Sequence, residues 1–276
     1  MEYATNGRIL TLENLGVAFG SKVVLRDVSA TIHNYVRPGM QQGQVVGILG
    51  PSGIGKTQLL KVIAGLEIPD ATITGRVLLG DTNPVPAARG MVGVVAQHYP
   101  LFAHRTVLDN LIVAARQRGI SQAEARTAAQ EMLRLFGLED RAPQYPAVLS
   151  GGQRQRAAIA QQLLCSEHVV MLDEPFSGLD PLMVDVVTDL ILQVSRQHEH
   201  NTLLVITHDI SSALAISDTL WVLGRDRGPD GQPVPGAYIK NRIDLVAEGL
   251  AWRPGVRALP RFRELHNELR DLFRSL

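Results

Sequence analysis

The sequence is short of several things. It has one cysteine, Cys165, in 276 residues. An internal disulfide is therefore excluded, and so is a metal site built from thiolates. A single cysteine in such a chain reads as a small apolar residue. Lysine is nearly as scarce: only Lys22, Lys56, Lys61 and Lys240 occur, so a lysine inside a motif carries weight. Charge of one sign is missing too. Lysine plus arginine and aspartate plus glutamate both number 27, for a formal net charge of zero. That balance argues against a nucleic-acid partner held by bulk charge. No apolar run approaches the roughly 20 residues that would cross a bilayer. The opening MEYATNGRIL has no basic start followed by an apolar stretch, so it does not read as a signal peptide. The expectation is a chain that is cytosolic by itself; if it serves a membrane, another chain supplies the spanning helices.

What is present is long enough and, at 45% hydrophobic, apolar enough for a substantial core, as one large domain or one domain with a small appendage. Ile9-Leu10-Thr11-Leu12 and Val23-Val24-Leu25 predict strands around a turn at Gly20-Ser21. Asn34–Gly43, with Pro38 and Gly39, predicts a loop. Gln44–Leu49 predicts a buried strand, followed by a glycine-rich turn and a helix over Lys56–Ala64. Helical patterning dominates from about 105 to 165, with Ser121–Phe136 interrupted by Pro143 and Pro146 before a new helix after Ser150. His168–Leu172 and Leu203–Thr207 are continuous apolar runs, as central parallel strands require, with a crossover helix over Leu182–Val194 between them. The tail after Gly224 is rich in glycine and proline. It closes on a helix over Arg261–Leu276, whose Phe262, Leu265, Leu269 and Leu272 form a stripe expected to pack on the chain itself.

Three motifs carry chemistry. Gly50-Pro51-Ser52-Gly53-Ile54-Gly55-Lys56-Thr57 fits G-x-x-x-x-G-K-[ST]. Its glycines let backbone N–H groups turn inward around phosphate oxygens, and the helix that follows aims its free N–H donors at the same anion. Lys56 can reach the β- and γ-phosphates, and the Thr57 hydroxyl can ligate magnesium. Second, the run His168–Leu172 ends in Asp173-Glu174. An aspartate at a strand end suits a magnesium ion, and Glu174 beside it suits a general base acting on water. Third, Leu149-Ser150-Gly151-Gly152-Gln153 places a hydroxyl and two glycines directly before a helix, a second anion-binding N-terminus.

With LSGGQ lying between the phosphate loop and Asp173-Glu174, the sequence resembles the ABC (ATP-binding cassette) ATPases over roughly residues 8–225. The resemblance implies a P-loop NTPase cassette: a parallel-sheet core, an antiparallel β subdomain and an α-helical subdomain near 98–165, leaving 226–276 as a C-terminal extension. It implies ATP and Mg2+ as ligands. By the same resemblance Gln97 matches the glutamine that contacts magnesium and water and reports to a membrane partner. Ser177-Gly178-Leu179-Asp180 matches the loop that runs across the dimer interface, His208 the histidine that touches the γ-phosphate, and Phe19 the aromatic residue that stacks on adenine. The family pairs two cassettes head to tail, so that the phosphate loop of one and the LSGGQ of the other hold one ATP. Gln58 departs from the small hydroxyl residue usual after Thr57, the 34–43 loop is longer than usual, and the tail lies outside the family pattern.

Tyr99, Leu101 and Phe102 resemble the family's groove for a permease helix. The resemblance thus implies a second copy, transmembrane permease subunits and a substrate-binding protein as partners. The stretch HRTVLDNL is similar to the nitrate, sulfonate and taurine importers. A cassette serving an exporter remains open at this stage. A non-transport ABC ATPase is disfavoured, since no second cassette or coiled-coil insertion is present.

Overall fold

The computed structural model describes residues 4–36, 43–96, 100–165, 169–196 and 201–276. Strands β1 (Ala4–Phe19) and β2 (Lys22–Val36) form a long hairpin in which Phe19 pairs with Lys22. The two-residue turn between them starts on Gly20 at φ +57°, as the twist of a tight hairpin demands. On β1, Leu10, Leu12, Leu15 and Val17 are buried. β4 (Thr72–Leu79) pairs with β1, and β5 (Val85–Pro86) with β4, completing a four-stranded antiparallel sheet in the order β2-β1-β4-β5.

The second sheet is built on β3 (Gln44–Leu49), flanked by β8 (Thr202–Thr207) and β9 (Thr219–Gly224), with β7 (Val169–Asp173) and β6 (Gly93–Val95) beyond β8. These five strands are parallel. All six residues of β3 and of β8 are buried, because both faces are covered. Alternate residues of β8 feed two separate cores. Leu203 and Val205 join Leu111, Leu133 and Leu164 from helices α2 (Val107–Arg116), α3 (Gln122–Leu135) and α4 (Gly151–Cys165). Leu204 and Ile206 join Leu12 and Val28 of the hairpin and Leu59 of α1 (Lys56–Ile63). Each such leucine stabilises the fold by roughly 1.5–3 kcal/mol. α5 (Pro181–Ser195) is the crossover between β7 and β8, and α6 (Ile210–Ile216) connects β8 to β9. The architecture is the expected α/β P-loop cassette.

Two stretches differ from the sequence reading. Asn34, Tyr35 and Val36 belong to β2, where Ala4 pairs with Val36, rather than to a loop; residues 37–42 lie outside the described residues. In the tail, β10 (Tyr238–Asp244) adds an antiparallel edge to β9. The closing helix α7 (Pro260–Ser275) packs Phe262, Leu265 and Leu269 against Leu49, Leu214 and Val222, so the apolar stripe does cover the chain's own core.

Candidate active site

β3, β7 and β8 run parallel and end side by side, which is where open α/β sheets bind ligands. Three chemical segments leave from those ends: the phosphate loop after Leu49, Asp173-Glu174 after Leu172, and His208 after Thr207.

The loop needs its glycines. Gly53 sits at φ +77° and Gly55 at φ +115°. A Cβ on Gly55 would also lie 2.9 Å from Leu25 Cδ2. Ile54 is buried and anchors the loop, while Ser52, Gly53 and Thr57 stay exposed. The Lys56 ammonium folds back under the loop and donates to the carbonyls of Gly50 at 2.8 Å and Pro51 at 3.2 Å. It also lies 3.5 Å from Glu174 Oε1. Burial pushes its pKa down, opposed by the charges of Glu174 and Asp173. The Thr57 hydroxyl donates to Asp173 Oδ2 at 3.3 Å. Burial, and then the neighbouring Glu174 charge, push the Asp173 carboxyl up, against the Thr57 hydrogen bond and the Lys56 charge.

Glu174 is the hub. Its N–H donates to the Ile206 carbonyl at 2.8 Å, tying it across to β8. Its Oε2 accepts from Thr207 Oγ1 at 3.2 Å and lies 2.9 Å from His208 Nδ1. The His208 ring is half-exposed, so one edge orients the acid and the other faces solvent.

A cavity of about 570 Å³ opens over this group. Of the residues expected at a nucleotide, Phe19, Ser52, Gly53, Gly55, Lys56, Thr57, Gln58 and Glu174 line it. Gly50, Pro51 and Ile54 support the loop from beneath. Gln97, and Tyr99 of the expected groove, lie outside the described residues. Lys22, Val24 and Arg225 also line the cavity and were not singled out from the sequence. Lys22 had a signal, its rarity beside a predicted turn; Arg225 had none. A larger cavity of about 720 Å³, walled by Arg8, Leu79, Met91, Arg118 and Cys165, contains none of the motif residues, so volume alone does not mark the site.

The LSGGQ segment forms a separate surface. Ser150 Oγ accepts from the Gln153 N–H at 3.3 Å, and Gln153 Oε1 accepts from the Ser150 N–H at 3.0 Å, a reciprocal cap on α4. Ser150 and Gly151 are exposed, and a Cβ on Gly152 would run into Met183 of α5. Asp180 caps α5, accepting from the N–H groups of Leu182 at 3.0 Å and Met183 at 3.1 Å. None of Ser150, Gly151, Gly152, Gln153 or Asp180 is among the residues that line the cavity over Lys56.

The family model described as "ABC transporter" matches residues 34–177. The chain belongs to that family. The cassette is 40% identical over 217 residues to the Fe(3+) ions import ATP-binding protein FbpC of Agrobacterium fabrum, covering 78% of this chain and 58% of that protein. It is 37% identical over 272 residues to the sulfate/thiosulfate import ATP-binding protein CysA of Gloeobacter violaceus, covering 97% of this chain and 74% of that one. The chain thus spans little more than half the length of its iron-import relatives. Among solved structures it resembles cbiO1 of Clostridium perfringens, part of the ABC transporter complex cbiONQ, with a TM-score of 0.71, 25% identity, and 95% and 100% of the two chains covered. It also resembles an ATP-binding cassette solved as a dimer in a post-hydrolysis state with ADP and Pi, with a TM-score of 0.66, 25% identity, and 86% and 99% covered. These relatives handle iron and sulfate or thiosulfate; the narrower likeness to nitrate, sulfonate and taurine importers has no counterpart among them.

Proposed function

We propose that this chain is the ATP-binding and ATP-hydrolysing subunit of an ABC importer. One observation carries the reading: Lys56, Thr57 and Glu174 line a single cavity, and Asp173 and His208 are held against them by direct contacts to Thr57 and Glu174. The residues fit magnesium-bound ATP. A hydroxyl and a carboxylate oxygen 3.3 Å apart are hard oxygen donors of the kind magnesium shares with substrate phosphates. Among the described residues no cluster of three His, Cys, Asp or Glu offers a cage of its own. Thr57 and Asp173, with Gln97, would hold the ion, which when bound offsets charge on the β- and γ-phosphates.

The steps assigned to the chain's own residues are these. The phosphate loop binds the triphosphate through its backbone donors, and Lys56 turns from the Gly50 and Pro51 carbonyls to the β- and γ-oxygens. Glu174 accepts a proton from water as that water attacks the γ-phosphorus and the β–γ bridging bond breaks. His208 holds the Glu174 carboxylate with one ring nitrogen and meets the γ-phosphate with the other. Phe19 offers a π face to adenine. Ser150, Gly151, Gly152 and Gln153, with Asp180, act on the nucleotide of a second copy. The partners are that copy, transmembrane permease subunits and a substrate-binding protein. Leu101 and Phe102 line a cavity of about 310 Å³ with Val113 and Ala114, a groove suited to a permease helix. Among the described residues no helix is long and apolar enough to cross a membrane. On the importer reading, the chain works peripherally at the cytoplasmic face of the inner membrane. Its cargo is a small solute: the HRTVLDNL likeness favours nitrate, sulfonate or taurine, and the relatives' names favour sulfate, thiosulfate or Fe(3+).

Phosphate release from Mg-ATP tests the chemistry. Glu174→Gln should lower turnover by roughly a hundredfold or more while ATP binding persists. Turnover near wild type in that variant would remove Glu174 as the base.

A further inference from the structure

Arg225 and the arm that follows it stand at the nucleotide cavity without a role in the reading above. β9 ends at Gly224, so Arg225 leaves the sheet beside the start of the phosphate loop; Leu49 pairs with Val222 in the parallel ladder. β9 lies on one side of β3, and β8 and β7 on the other. Asp173, Glu174 and His208 occupy the β7–β8 side. A triphosphate seated on the loop after β3 therefore has its reacting end toward β7 and β8, and its base and ribose toward β9 and the Phe19 hairpin. Arg225 lines the cavity on that side. Its Nε–H is buried and, among the described residues, makes no hydrogen bond.

The next residue is heavily tied. Asp226 Oδ2 is 2.8 Å from Arg26 Nη2, Asp226 Oδ1 accepts from the Tyr238 hydroxyl at 2.8 Å, and Lys240 Nζ lies 3.8 Å from Oδ1. Lys240 also donates to the Arg225 carbonyl at 3.2 Å. The Arg26 guanidinium sits 5.4 Å from the centre of the Tyr238 ring. Backbone bonds lock the same elements together: Arg26 N–H to the Ala237 carbonyl at 2.9 Å, and Ala237 N–H to the Val24 carbonyl at 2.8 Å. Val24 is itself part of the cavity wall. The approach is close enough that a Cβ on Gly236, at φ +85°, would lie 2.9 Å from both Arg26 Cγ and Val23 Cγ1.

We propose that Arg225 binds the base–ribose end of the nucleotide together with Phe19, and that Asp226 is the positioning residue that fixes it there by clamping the tail to the β1–β2 hairpin. The proposal rests on the ATP reading above. A planar guanidinium with a desolvated donor stacks on a purine and offers N–H groups to ring or ribose oxygen and nitrogen acceptors, which a point charge cannot do as well.

Calorimetric titration of the full chain with Mg-ATP and, separately, with Mg-inorganic triphosphate tests it. Arg225→Ala should weaken ATP about tenfold and leave inorganic triphosphate unchanged. Asp226→Asn should reproduce the ATP-specific loss, with kcat at saturating ATP unchanged and the thermal midpoint recorded alongside. Arg225→Lys should not restore ATP affinity. Equal weakening of both ligands, no weakening of either, or full rescue by lysine would overturn the contact. A normal ATP affinity in a folded Asp226→Asn chain would overturn the positioning role. Lys56→Ala serves as the separate check on the ATP reading: it should weaken both ligands, and if it weakens neither, that reading fails whatever Arg225 does.

Discussion

At Glu174 the backbone turns left-handed, with φ +50°, in a residue that carries a Cβ. Such a conformation costs on the order of 1 kcal/mol and persists only where neighbours hold it. Here the Ile206 carbonyl, Thr207 and His208 do so. The same corner holds Asp173, which burial and the Glu174 charge drive toward its neutral form. Ionising this carboxylate in the nucleotide-free chain therefore works against stability. Asp173→Asn keeps an oxygen to accept from Thr57 and removes the buried charge. We expect the variant to melt about 1–3 °C higher without nucleotide and to lose Mg-dependent ATP turnover. Differential scanning fluorimetry without ATP reads the first effect, and a lower midpoint would refute it. That Lys56, Asp173 and Glu174 meet was legible in the sequence, whose residue types and spacing point to one phosphate site. The strained φ at Glu174 and the position of Arg225 were not, since both arise from how separate strands come to lie together.

Among the elements, the ones most legible in sequence are those buried on both faces. β3 and β8 read as continuous apolar runs because water touches neither side. β10 was missed for the opposite reason. It is an edge strand whose residues are half-buried or exposed, so Tyr238–Asp244 shows neither an apolar run nor an alternation. α6 has seven residues, too few for a helical period to stand out. α7 did stand out, and its stripe gives a prediction. Leu269 is 2% exposed and packs in the cluster that includes Leu49, the last residue before the phosphate loop. Leu269→Ala should cost about 2–5 kcal/mol in urea denaturation. Arg270→Ala, on the exposed side, should change stability by no more than about 0.5 kcal/mol. Similar costs for both would mean that α7 contributes by helix formation alone and not by burying its stripe.

On the scale of the molecule, the candidate site residues fall on two separate surfaces. Lys56 and Glu174 face one cavity, while Ser150 and Gly151 are exposed at the head of α4 and take no part in its lining. If each LSGGQ segment serves the nucleotide of another copy, damage to the two surfaces should complement. Lys56→Ala removes the cation of one surface. Gly151→Asp puts a negative charge on the other, and the fold tolerates it, because nothing lies within 4 Å of a Cβ there. Neither variant alone should hydrolyse ATP. In a mixture, a dimer with one chain of each kind contains one site carrying both defects and one site carrying neither. Random pairing makes about half of all dimers mixed, so activity should return to roughly a quarter of the wild-type level per chain. A cavity complete within one chain leaves Gly151→Asp active by itself, and the mixture no more active than the average of its parts. The experiment therefore separates a half-site, which must close across two molecules to act, from a site that a single cassette completes by itself.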